Sequence, residues 1–130
     1  PYTKRGAYMK IDLSNSEWKL MNRLWQTAPM TITELTAALK DDTGWTKNTI
    51  ITMLSRLEGK GAVRHEEGQR AKRYFPAVDR EDAIEAETET FLDKVGGLGL
   101  LMNAMVEKNA LTEDDIAELS AILEKAGGKT

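Results

Sequence analysis

Apolar positions recur with a helical period through the first half of the chain. Trp18, Met21, Leu24 and Trp25 stand at i, i+3, i+6 and i+7, one stripe of a helix predicted over residues 14–25. Ser16 is placed to cap it, and Glu17 puts an acid in its first turn. Thr27-Ala28-Pro29 ends it. Thr31-Ile32-Thr33-Glu34 then has the form of a capping box, followed by Ile32, Leu35 and Leu39 at helical spacing. Asp41-Asp42-Thr43-Gly44 breaks this second short helix. A third runs over residues 46–58 with Ile50, Leu54 and Leu57 as its inner stripe, and Gly59-Lys60-Gly61 stops it.

The period then changes. Residues 62–66 and 72–77 are short extended runs separated by Glu67-Gly68-Gln69, which predicts a β-hairpin. Pro76 puts the second strand near its end or on an edge. Beyond Asp79 the helical period returns over residues 82–95, with Ile84, Phe91, Leu92 and Val95 apolar. Gly96-Gly97 is a hinge or a stop. Residues 98–106 are almost wholly apolar, and Thr112 followed by Glu113, Asp114 and Asp115 opens a last helix striped by Ile116, Leu119, Ile122 and Leu123. Three short helices followed by a hairpin is the order of a winged helix-turn-helix. The fold class expected is mainly α with a small β-hairpin: a winged helix-turn-helix domain plus a helical dimerisation tail. Residues 1–12 are expected to be a flexible leader, 13–80 the winged-helix domain and 81–130 the tail.

The third helix carries the most specific chemistry. Opposite its inner stripe stand Thr46, Lys47, Asn48, Thr49, Ile51, Thr52, Ser55 and Arg56; its one acid, Glu58, lies at the far end. Short hydroxyls let a backbone approach a groove closely. Asn reads adenine, Arg reads guanine, and Thr methyls or Ile51 touch a thymine methyl. The amides at the start of the helix are placed to hold a phosphate. Arg64, Arg70, Lys72 and Arg73 make the hairpin basic, as a wing lying along phosphates or entering the minor groove requires. Tyr74 and Phe75 are expected to pack back on the domain, His65 to be a strand surface residue, and Trp18, Trp25 and Trp45 to be core or wall residues.

Charge sharpens this division of labour. Residues 1–80 hold 14 Lys and Arg against 9 Asp and Glu, a net +5; residues 81–130 hold 4 against 12, a net −8. A polyanion would attract the first part and repel the second. Composition otherwise excludes: 41% hydrophobic and 30% charged is an ordinary soluble balance, and no apolar run is long enough to span a membrane. With no cysteine there are no disulfides or thiolate metal sites, which fits a reducing cytoplasm. The single histidine leaves no two-histidine metal site, and no nucleophile–base pair or glycine-rich phosphate loop is present, so neither an enzyme nor a cofactor is expected.

The tail is too apolar to stand alone. A two-fold dimer covering Phe91, Leu100, Leu101, Met105, Ile116, Leu119, Ile122 and Leu123 is the simplest arrangement. It sets two heads on adjacent major grooves of a near-palindromic operator.

Several of these residues resemble the BlaI/MecI penicillinase-repressor family, to which the copper-responsive CopY repressors are related. Ser16-Glu17-Trp18 with Met21 and Leu24-Trp25 resembles the family's opening helix. Trp45-Thr46-Lys47-Asn48-Thr49-Ile50, then Thr52, Leu54, Arg56-Leu57 and Lys60-Gly61, resembles its recognition helix and stop. Tyr74 and Pro76 match the end of the wing; Val106-Glu107-Lys108, Leu111, Asp114-Asp115-Ile116 and Glu118-Leu119 resemble the dimerisation segment. The resemblance implies a homodimeric repressor on double-stranded operator DNA, with contacts from Thr46, Lys47, Thr49, Thr52 and Arg56. In antibiotic-sensing members a membrane sensor triggers cleavage of an Asn–Phe bond in the tail. Alignment back from Val106 places that bond at Ala104-Met105, beside Asn103, so the chain departs from the pattern. The cysteine pairs of the copper branch are missing too. Two other functions stay open: a winged-helix module that binds protein, and a regulator sensing a ligand in a pocket of the tail.

Overall fold

A computed structural model describes residues 11–128. The elements run α1 (Asn15–Gln26), α2 (Ile32–Thr43), α3 (Lys47–Gly59), β1 (Val63–Glu66), β2 (Arg73–Pro76), α4 (Arg80–Val95), α5 (Leu98–Glu107) and α6 (Glu113–Gly127). This is a winged helix followed by three further helices. No helix among the described residues is long and apolar enough to cross a membrane.

Helix starts follow local chemistry. The hydroxyls of Thr31 and Thr112 accept from the Glu34 and Asp115 amides, while those carboxylates accept from the cap amides in return. The first helix begins the same way, but at Ser14 and not at Ser16. Ser14 Oγ accepts from the Glu17 amide at 3.2 Å and the Glu17 carboxylate accepts from the Ser14 amide at 2.8 Å. Ser14 has Glu at the third position of the helix and can close the box; Ser16 has none there.

The turn between α2 and α3 is made by Gly44, at φ 68°, ψ 14°. A side chain there would be strained by about 1 kcal/mol, which glycine avoids. At the other end of the chain, Gly97 starts α5 at φ 112°, again a glycine conformation.

Leu20, Met21, Leu24, Leu35, Ile50, Leu54 and Leu57 are fully buried and form the core with Leu13, Met30, Leu39, Met53, Val63, Tyr74 and Val78. Each large side chain contributes about 1.5–3 kcal/mol relative to exposure. Leu20 and Met53 widen the stripes expected of α1 and α3. Ile11 packs against this core; residues 1–10 of the expected leader lie outside the described residues.

The hairpin pairs Val63 with Pro76, Arg64 with Phe75, His65 with Tyr74 and Glu66 with Arg73. Met30 bridges Tyr74 on the other side of β2, its amide donating to the Tyr74 carbonyl at 3.1 Å and its carbonyl accepting at 2.8 Å. The wing is therefore pinned at its base between α1 and α2. Pro76 ends β2, and β2 is flanked on both sides at Tyr74. The three tryptophans form walls of the core. The Trp25 indole donates to the Val78 carbonyl at 2.9 Å, and Trp18 to Glu87 at 3.3 Å.

The chain divides into two compact units, one ending at Thr88 and one beginning at Glu89, with the boundary inside α4. The first half of α4 buries Ala83 and Ala86. In the second unit α5 and α6 bury no residue.

Candidate nucleic-acid interface

Burial of Ile50, Met53, Leu54 and Leu57 decides which face of α3 looks outward. Lys47, Asn48, Ile51, Thr52, Ser55 and Arg56 are exposed; Thr49 is half-buried. Asn48, Thr49, Thr52, Met53 and Arg56 line a shallow depression of about 290 Å³ on this face. Thr46 caps the helix: its hydroxyl accepts from the Thr49 amide at 3.3 Å and lies 3.2 Å from the Thr49 hydroxyl. The threonine pair is thus partly spent on starting the helix.

The far end of α3 is anchored by a charge pair that the sequence does not reveal. Lys60 Nζ donates to Glu17 at 2.6 Å and to the Asp12 carbonyl at 2.5 Å. Glu17 is only 2% exposed. Burial works against its charge, but the Lys60 ammonium and the Ser14 amide and hydroxyl outweigh that and hold its carboxyl below the ordinary 4.5. The stop of α3 is thereby tied to the start of α1.

On the wing, Arg70, Lys72 and Arg73 are exposed as expected. Arg73 is not a bare cation: its guanidinium lies 3.5 Å from Glu66, which Arg64 also meets at 3.0 Å. Arg64 stacks 4.2 Å over the Phe75 ring. Among the described residues, no carboxylate pairs with Lys47, Arg56, Arg70 or Lys72. An open hollow of about 590 Å³, lined by Thr31, Glu67, Gly68, Gln69, Arg70, Ala71 and Arg73, separates the wing turn from the start of α2.

His65 is not the plain surface residue expected. It is half-buried, bonded through Nδ1 to Glu58, with Nε2 3.5 Å from Glu67 and its ring 5.6 Å from that of Tyr74. The signal was strand parity: Val63 and His65 share the inward face of β1.

In the tail, Phe91, Leu100, Ile116, Ile122 and Leu123 are exposed, and Leu101, Met105 and Leu119 are half-buried. Asn103 and Ala104 are exposed within α5, and the Ala104–Met105 bond lies inside that helix. Among the described residues, no cluster of His, Asp and Glu is arranged to hold a metal ion.

Known proteins resemble the chain along nearly its whole length. The family model described as penicillinase repressor matches residues 13–125. A penicillinase repressor of Bacillus licheniformis is 32% identical over 115 residues, covering 87% of this chain and 90% of that one. The methicillin resistance regulatory protein MecI of Staphylococcus aureus is 29% identical over 116 residues, covering 88% and 94%. The solution structure of Bacillus licheniformis BlaI in complex with the blaP half-operator is 34% identical, with a TM-score of 0.50. It covers 56% of this chain and 90% of that one. With the winged helix in place, the family match settles descent: the chain belongs to the penicillinase repressor family.

Proposed function

We propose that the chain is a transcriptional repressor that binds near-palindromic operator DNA as a homodimer in the cytoplasm. In this reading α3 enters the major groove. Thr46, Lys47, Asn48, Thr49, Thr52, Ser55 and Arg56 face it, and Arg70, Lys72 and Arg73 lie along the neighbouring phosphates. The carrying observation is the outer face of α3: exposed cations, amide and hydroxyls, with the helix's one acid engaged by His65. The monomeric form of the related BlaI is known in complex with a half-operator, which supports binding of operator DNA by this chain. Phosphate contacts supply most of the affinity and base edges the sequence preference.

The homodimer rests on the tail. Seven large apolar side chains from Phe91 to Leu123 are exposed there among the described residues, a surface that needs a partner. A second copy brings the same apolar stripes and sets two heads on two half-sites.

Selection of bound sequences from a random duplex pool tests DNA binding, symmetry and half-site spacing together. The winning duplex is then titrated over a salt series. With roughly 6–10 phosphate contacts per dimer, affinity falls about 10³–10⁵-fold between about 50 and 200 mM salt. A flat salt dependence, or a pool that yields no enriched sequence, overturns the reading.

A further inference from the structure

A carboxylate on a surface offered to a polyanion repels it unless a cation stands beside it. Three carboxylates surround the junction of α3 and the wing: Glu58, Glu66 and Glu67. Glu66 lies between Arg64 and Arg73, at 3.0 and 3.5 Å. Glu58 and Glu67 share one partner, His65, which meets Glu58 through Nδ1 and stands 3.5 Å from Glu67 through Nε2. Tyr74, opposite His65 on β2, senses the same pair. Its hydroxyl is held above its ordinary value by burial first and by the charges of Glu58 and Glu67 next.

The three linked residues sit on three successive pieces of the interface. Glu58 is in the last turn of α3, His65 is in the middle of β1, and Glu67 opens the turn that carries Arg70 and Lys72. We propose, resting on the DNA-binding reading above, that His65 is the positioning residue of this interface. Its ring ties the end of the reading helix to the entry of the wing turn and holds the Glu58 and Glu67 carboxylates beside it, away from the duplex.

The test uses the full chain and the duplex selected above, with affinity read by fluorescence anisotropy at low and high salt. His65→Ala loses about tenfold in affinity at about 50 mM salt, as two carboxylates freed to face the duplex would cause, and clearly less at about 200 mM, where they are screened. Adding Glu58→Gln and Glu67→Gln to His65→Ala restores binding to near the wild-type level. Tryptophan fluorescence melting reports whether each variant is folded. Should His65→Ala unfold, His65→Gln, which keeps one amide donor, takes its place with a smaller salt-sensitive loss. A loss of equal size at both salts that the triple variant does not recover overturns the proposal, as does unchanged affinity in His65→Ala. Failure of the wild-type chain to bind any duplex is a different result and removes the DNA-binding reading itself.

Discussion

The two units of the chain handle apolar surface in opposite ways. In the head, residues up to Thr88, the helical stripes converge on one core, and only Ile51 and Ile84 remain as exposed large hydrophobics among the described residues. One of those, Ile51, is on the outer face of α3. The tail exposes Phe91, Leu98, Leu100, Val106, Ile116, Ile122 and Leu123 and buries no residue in α5 or α6. The head is closed by its own side chains; the tail is an unfinished core. Charge divides along the same line, basic in front and acidic behind.

The sharpest way to break this contrast is to spoil the tail alone. Leu119→Asp together with Ile122→Asp is expected to raise the Kd of the proposed dimer about 1,000-fold, as loss of two apolar anchors does. Sedimentation reads the mass. Tryptophan fluorescence reads only the head, since Trp18, Trp25 and Trp45 all lie there, and its melting transition should be unchanged. A head that melts with the tail would dissolve the distinction between the two units.

Spoiling the head comes next. Leu54 is 1% exposed at the centre of the core, and Leu54→Ala should cost about 2–5 kcal/mol of head stability in urea titration. Isolated tail contacts should be untouched, so at low urea the variant remains a dimer by sedimentation.

The pair of buried Glu17 with exposed Lys60 gives a smaller, pH-coded effect. Lys60→Met leaves the Glu17 carboxylate without its ammonium and should cost about 1–3 kcal/mol near neutral pH. Because the folded state holds the Glu17 carboxyl below 4.5, its charge stabilises the head above that pH. This contribution is lost as pH falls through the folded value. The penalty of Lys60→Met should therefore shrink in acid, where Glu17 takes up a proton. A penalty that persists unchanged in acid would show that the Lys60 stem, not its charge, is what α1 needs.

The reading surface offers the finest comparison. Arg56→Ala should cost about 1–3 kcal/mol on the selected duplex and relax preference at one base position. Lys72→Ala should weaken all duplexes alike and lower the salt slope by about one. Equal behaviour of the two variants on selected and random duplex would erase the division between base reading and phosphate holding.

Much of the head was legible because its signals are local. The capping box at Thr31, the Gly44 stop, and the Ile50, Leu54, Leu57 stripe each need only a few neighbouring residues. The miscapped first helix is instructive: two serines precede Glu17, and only reciprocal bonding across three residues selects Ser14. Long-range features stayed hidden. Nothing near Glu17 announces that a charge will be buried, because its ammonium partner comes from Lys60, beyond the far end of another helix. Likewise Arg73 looks like a bare wing cation until strand register sets it opposite Glu66. The apolar load of the tail was visible at once, since burial demand is a property of composition. What meets that demand is a property of the assembly.

The unburied stripes of α5 and α6 have a quantitative consequence for control in the cell. If two heads reach DNA only when their tails associate, each bound head raises the local concentration of the second, and avidity multiplies two modest contacts. Below the association threshold, occupancy then follows the square of protein abundance. A few-fold dilution or modest turnover would empty such an operator steeply, giving threshold behaviour without any conformational change in the reading head.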